Sequence, residues 1–304
     1  MLKLILYILI IYMDKVKEVL KDKRPNLSDK SINTYASVLK TIMKNMKFDN
    51  VKQLNNDKKV LEYLAEMKPN TRKTRLSALF VLTENEAYKK NMLEDVNAYN
   101  NSMKSQTKND KETENWITKD ELFKIYNNLK KDTNVLFRKK NKNMSDLQDI
   151  QAFVMLSLFV LLPPRRALDY SEMKIKNIDK TKDNYIKGNN LIFNIYKTSK
   201  QKGQQIIEVP KQLKSILNKW VKINTTDYLL FDNKGGKLTS VKINQRFKKL
   251  FGKNFSVNMF RKLFLSTKYA DTMEQMKNLE KDMEKMGSSK SQVNHYVKTD
   301  IVDN

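Results

Sequence analysis

The stretch DIQAFVMLSLFVLLPPRRALDYSEMKIKNI, residues 149–178, limits the possible folds more than any other. It begins with about three helical turns that are apolar on nearly every face, the pattern of a helix buried in a core. The run is too short to span a bilayer, which takes about 20 apolar residues. Pro163 and Pro164 end the helix and set the direction of the backbone. Arg165 and Arg166 then leave the core directly. Burying the base of a guanidinium is costly unless an anion waits for it, and Asp169 offers one carboxylate to two arginines. Two readings follow. One is a structural Arg–Asp pair capping a core helix. The other is an arginine held rigidly for a phosphate, the anion that its planar fork fits best.

A chain of 304 residues is long enough for two domains. Lysine and arginine outnumber aspartate and glutamate 59 to 34, a net charge of +25. Such an excess points to a polyanionic partner, nucleic acid before an anionic membrane surface. There is no cysteine and one histidine, which excludes disulfide frameworks, thiolate metal sites, zinc fingers and histidine-based triads. The chain reads as intracellular. Its first twelve residues, MLKLILYILIIY, are apolar but too few to cross a membrane, and no small-residue cleavage site follows them. They read as a peripheral extension, or as residues ahead of a true start at Met13.

The order of patterns gives an all-α domain over residues 13–100, a linker over 101–115 and a mainly α domain with a small antiparallel β-meander over 116–304. In the first domain Ser28 can cap a helix with Ile32, Tyr35, Leu39, Ile42, Met43 and Met46 on one face. A second helix runs to about Met67. A third starts at Asn70 or Thr71 and carries Arg72, Lys73 and Arg75 in its first turns. Cations there oppose the helix dipole. They make sense against a phosphate, and otherwise form a solvated face. The polar run NSMKSQTKNDKETEN has no apolar period and reads as a linker. Thr118 and Glu121 then form a capping box. Beyond the core helix, the runs at 185–186, 191–196 and 206–209 read as three short strands. Lys197, Lys200 and Lys202 stand near the second turn, and helices occupy the rest of the chain.

These residues carry a resemblance. RALDYSEMKIKNI resembles the first arginine box of the tyrosine recombinases, the phage-integrase family. In that box an arginine is followed three residues later by an acid, then by an apolar residue and a terminal Asp/Asn–Ile. Arg166, Asp169, Met173, Asn177 and Ile178 stand at those spacings. The hairpin IYKTSKQKGQQIIEVP is similar to the family's lysine-bearing strand pair, which precedes Val-Pro. NMFRKLF is similar to its His-x-x-Arg box, with Arg261 as the second arginine. MGSSKSQVNHYVK is similar to its terminal box, with Tyr296 falling 35 residues after Arg261. LSDKSINTYASVLKTIMKNM is similar to the family's helical core-binding domain. The four boxes stand in family order, and the likeness covers nearly the whole chain from Met13. Two positions depart from the pattern. Asn258 and Ser288 replace histidines; both can hydrogen-bond a phosphate oxygen, but neither exchanges a proton near neutral pH. His295 is adjacent to Tyr296 and points about 100° away on a helix, so it reads as a surface or DNA-backbone residue.

The resemblance implies a site-specific recombinase, of the kind viruses and mobile elements encode. Such an enzyme cleaves and rejoins double-stranded DNA through a 3′-phosphotyrosyl link, with neither metal nor ATP and no other cofactor. Tyr296 would be the nucleophile, Arg166 and Arg261 the phosphate clamp, and Asn258 and Ser288 hydrogen-bond donors. Lys197 is the expected general acid, while counting back from Pro210 points to Lys202. Arg72, Lys73, Arg75, Lys200 and Lys202 would contact DNA. The expected assembly is a homotetramer on paired sites, without a membrane. A type IB topoisomerase and a non-catalytic DNA-binding protein are the alternatives.

Overall fold

The computed structural model describes residues 14–298. The apolar stretch 1–12 and the end of the C-terminal tail lie outside the described residues. The chain divides into two compact units, residues 1–108 and 109–304.

The first unit is all helical. Helix α1 covers residues 14–23, and α2 runs Asp29–Asn45 with the Ser28 hydroxyl accepting from the Ser31 N–H. On α2, Ile32, Leu39, Ile42 and Met43 are buried as their spacing predicts, joined by Ala36, while Tyr35 and Met46 pack at the margin. Helix α3 is Asp57–Ala65, α4 Pro69–Thr83 and α5 Glu86–Lys104. Pro69 opens α4 at a position where its missing N–H costs nothing. Leu20, Leu54, Val60, Leu64, Leu76, Leu79 and Tyr88 have no exposed surface. The Tyr88 hydroxyl donates to the Leu54 carbonyl, so the core's polar tip is satisfied.

The polar stretch read as a linker over 101–115 is mostly helical. Helix α5 continues to Lys104, and α6 occupies Asp110–Asn115. A capping box between Asn109 and Glu112 starts α6, so local hydrogen bonds form this turn without an apolar period. The non-helical part shrinks to residues 105–109.

In the second unit α7 spans Lys119–Arg138 and begins with the expected Thr118–Glu121 capping box. Helix α8, Met144–Val160, is the core helix; its residues from Phe153 to Phe159 are all buried. Gln151 is the polar exception. It accepts from the Phe231 N–H and donates to the Phe231 carbonyl, which ties the helix to a loop 80 residues away. After the two prolines comes the short α9, Ala167–Ser171.

The sheet has four strands in the order β1-β2-β3-β4: Met173–Lys174, Asn184–Lys187, Asn190–Phe193 and Gln205–Glu208. The meander β2-β3-β4 is antiparallel as expected, and β1 adds a two-residue parallel edge. Gly188, at φ +59°, makes the tight turn from β2 to β3. Strand β3 ends at Phe193 rather than Tyr196. There the Asn184 amide oxygen takes the Asn194 and Ile195 N–H groups away from the ladder. One helical turn, α10 (Ser199–Lys202), lies between β3 and β4.

Helices α11 (Lys211–Ile223), α12 (Ser240–Phe251) and α13 (Val257–Lys285) complete the unit. The 29 residues of α13 are two helical segments that meet at a kink at Tyr269, where φ is −127° and ψ 16°. A 3₁₀ turn at Lys290–Gln292 and the four-residue α14, Val293–Tyr296, follow. The fold is mainly α with a small mixed sheet. Among the described residues, no helix is long and apolar enough to cross a membrane.

Candidate active site

Two packing arrangements place the arginines. Phe159 of α8, Phe247 of α12, Phe255 ahead of α13 and Phe260 within it form one cluster of rings, with Phe260 at 5.3, 4.8 and 4.8 Å from the other three. Arg261 follows Phe260 directly, so the position of its Cα is set by that core. Arg166 caps α9 in extended geometry, and its carbonyl accepts from the Asp169 N–H. Beneath α9, Tyr170 is fully buried, with its ring edge-on to Phe159 and Phe193.

These two arginines, together with Arg165, Asp169, Tyr196, Lys202 and Gln205, line one cleft of about 330 Å³. Asp169 resolves the choice posed by its one carboxylate. Its Oδ2 accepts from Arg165 Nε at 2.8 Å, and Arg165 Nη1 donates to Gln205 Oε1 at 2.9 Å. The Arg165 guanidinium carbon sits 3.9 Å from the centre of the Phe193 ring and 5.3 Å from that of Tyr196. Arg165 is therefore the structural arginine. Neither Arg166 nor Arg261 has a hydrogen-bonded or ion-paired side chain among the described residues. Asp169 is 2% exposed, and its Oδ1 has no hydrogen-bond partner. Burial pushes its carboxyl above the ordinary value, while Arg165, Arg166 and Arg261 pull it down.

Of the hairpin lysines, the cleft is lined by Lys202 and not by Lys197 or Lys200. Lys197 precedes the α10 turn with its side chain exposed, so its proximity to the strand end does not bring it to the arginines. Counting back from Pro210 identifies the lysine that does. Asn258 is exposed in the first turn of α13, one turn before Arg261. Ser288 is half-buried, and its N–H donates to the Met283 carbonyl. Tyr296 is 59% exposed at the end of α14 and does not line the cleft, and His295 beside it is exposed. Sequence patterns missed Gln205 and the role of Arg165. The second partner of Arg165, Gln205, lies 40 residues along the chain, and no local spacing reveals it.

In the first unit the three basic residues of α4 differ. Arg72 donates from Nε and Nη2 to the two oxygens of Asp95, which is 3% exposed, and from Nη1 to the Ala65 carbonyl. Its fork is occupied within the unit, by Asp95 and the Ala65 carbonyl. The Lys73 ammonium lies 5.3 Å from the Tyr99 ring centre. Among the described residues Arg75 has no acceptor, and its Nε is buried without a partner. Among the described residues, no group of three or more His, Asp or Glu side chains could hold a metal ion.

No protein-family model and no curated protein matches the chain. Solved structures do. A lambda integrase dimer bound to a COC′ core site matches with a TM-score of 0.49 and 15% identity, covering 96% of this chain and 79% of that one. A lambda integrase fragment bound to DNA gives 0.47 and 15%, covering 88% and 89%. The XerA recombinase gives 0.33 and 12%, covering 83% and 81%. At these identities and scores the reading of function rests on this chain's own residues.

Proposed function

We propose that the chain is a DNA strand transferase: it breaks and rejoins DNA through a 3′-phosphotyrosyl link, as a site-specific recombinase does. One observation carries the reading. Two unpaired arginines, 95 residues apart in sequence, meet a lysine in one cleft, and all three stand within motifs whose order and spacing resemble those of tyrosine recombinases. Half-buried, unpaired guanidiniums carried on a packed core are suited to a planar or trigonal-bipyramidal phosphate. A net charge of +25 supplies the long-range attraction to DNA.

In this reading Arg166 and Arg261 bind the non-bridging oxygens and stabilise the charge of the pentacoordinate transition state. The Tyr296 oxygen attacks phosphorus as its phenolic proton passes to solvent, the bond to O5′ breaks, and Lys202 supplies the proton that O5′ takes. Asn258 and Ser288 add neutral hydrogen-bond donors. Tyr296 must approach the cleft when DNA binds, since it is exposed on α14 in the structure. Lys73 and Arg75 of the first unit, and Lys200 of the hairpin, contribute phosphate contacts away from the reacting centre. Assembly on paired duplexes, a tetramer in the simplest case, then exchanges the strands.

The test is covalent trapping. The protein, incubated in EDTA with fragmented or nicked duplex DNA from a sequence library, should form an adduct on the 3′ side of a break, with Tyr296 in the attached peptide. Tyr296→Phe should bind DNA and form no adduct, and Arg166→Ala or Arg261→Ala should slow formation by about 10²–10³. An adduct that persists in Tyr296→Phe, or one that requires a divalent cation, rules this chemistry out.

A further inference from the structure

We propose that Arg165 is a positioning residue that fixes Lys202 relative to Arg166 and Arg261; this rests on the strand-transfer reading above. Arg165 donates to Asp169 Oδ2 at 2.8 Å, from a stack on Phe193 that fixes its plane. Asp169 thereby holds the guanidinium at the foot of the arginine turn.

The same guanidinium reaches the hairpin from both sides. Phe193 and Gln205 are ladder partners on β3 and β4, so the ring and the amide that hold Arg165 belong to one pair across the sheet. Above this pair, the Tyr196 hydroxyl donates to the Gly203 carbonyl at 2.7 Å and closes the segment that contains Lys202. Gly203 sits at φ +67°, where a side chain would be strained. Lys202 thus stands directly before a glycine turn and three residues before an anchor, and the anchor is attached to the residue before Arg166. Motion of the hairpin relative to the arginine turn has to break the Arg165–Gln205 bond.

The reaction offers a readout specific to this role. With oxygen as the leaving atom, O5′ takes the electron pair of the broken P–O bond and needs the proton of Lys202. With sulfur in its place the thiolate leaves unprotonated, and the general acid becomes dispensable. The full-length chain is therefore assayed in single turnover on the cleavage site found by trapping, with either a 5′-oxygen or a 5′-bridging sulfur. Arg165→Ala, Gln205→Ala and Lys202→Ala should each slow the oxygen substrate, the first and last by about 10²–10³. Each should come within about tenfold of the wild type on the sulfur substrate. Arg165→Lys, which keeps the charge but loses the fork, should behave as Arg165→Ala does. As a measure independent of turnover, amides of residues 198–205 should exchange roughly tenfold faster in Arg165→Ala. Equal loss on both substrates overturns the proposal in favour of a clamp or purely structural role, and so does unchanged exchange of the hairpin. A wild-type protein that forms no adduct instead refutes the strand-transfer reading itself.

Discussion

Asp169 sets the electrostatics of the cleft at the scale of one residue. Burial raises the carboxyl of Asp169, which is 2% exposed, and three arginines pull it back down, yet only Arg165 touches it. Removing Arg165 leaves a buried anion whose nearest remaining cations are Arg166 and Arg261. The folded-state pKa, already raised by burial, then rises further. A carboxyl with a raised folded pKa contributes stability that is present below its unfolded value of about 3.9 and is lost as pH rises through the folded value. Arg165→Met should therefore lose stability more steeply than the wild type as pH rises above about 4. The limiting slope is about 1.4 kcal/mol per pH unit for a full proton. Adding Asp169→Asn should flatten the difference. Urea unfolding across that range checks both, and parallel curves for Arg165→Met and wild type would contradict the argument.

At the scale of an element, α4 separates cations that look alike in sequence. Arg72→Ala leaves Asp95 buried without its partner and should cost about 3–5 kcal/mol, with little change in the salt dependence of DNA binding. Lys73→Ala or Arg75→Ala should instead leave stability nearly intact and reduce the log–log salt slope by roughly one unit. Thermal melts and binding titrations from low to moderate salt distinguish the two outcomes, and a flattened slope for Arg72→Ala would reverse the assignment. The contrast shows what a sequence discloses. The period of α2, the greasy face-all-round character of α8 and the turn glycine at 188 are local signals, and the structure follows them. Arg166, Arg261 and Asp169 were legible as a set because a motif recorded their spacing. The Arg72–Asp95 pair spans two helices and 23 residues, and the Arg165–Gln205 bond 40. No periodicity encodes either. Lys197 and Lys202 differ by one helical turn, α10, which is too short to announce itself by pattern.

At the scale of the whole molecule, the chain consists of two units with separate cores, divided between Lys108 and Asn109. The five residues 105–109 lie outside α5 and α6, and Gln106 there has φ +55°. Exposed segments between helices are preferred protease sites, so limited trypsin should cut first between α5 and α6 and leave two folded fragments. Their behaviour tests whether both units act on one duplex. If each contributes phosphate contacts, the covalent connection raises the local concentration of the second unit once the first has bound. The separated fragments, mixed at equal concentration, should then bind about 10²–10⁴ times more weakly than the intact chain. The salt slope of the intact chain should approach the sum of the slopes of the two fragments, because each released counterion reports one phosphate. The fragment 109–304 should still form the tyrosyl adduct at high protein concentration, since the arginine cleft lies wholly within it. Should that fragment alone match the full chain in affinity and slope, the first unit does not bind the duplex, and the cations of α4 are a solvated face.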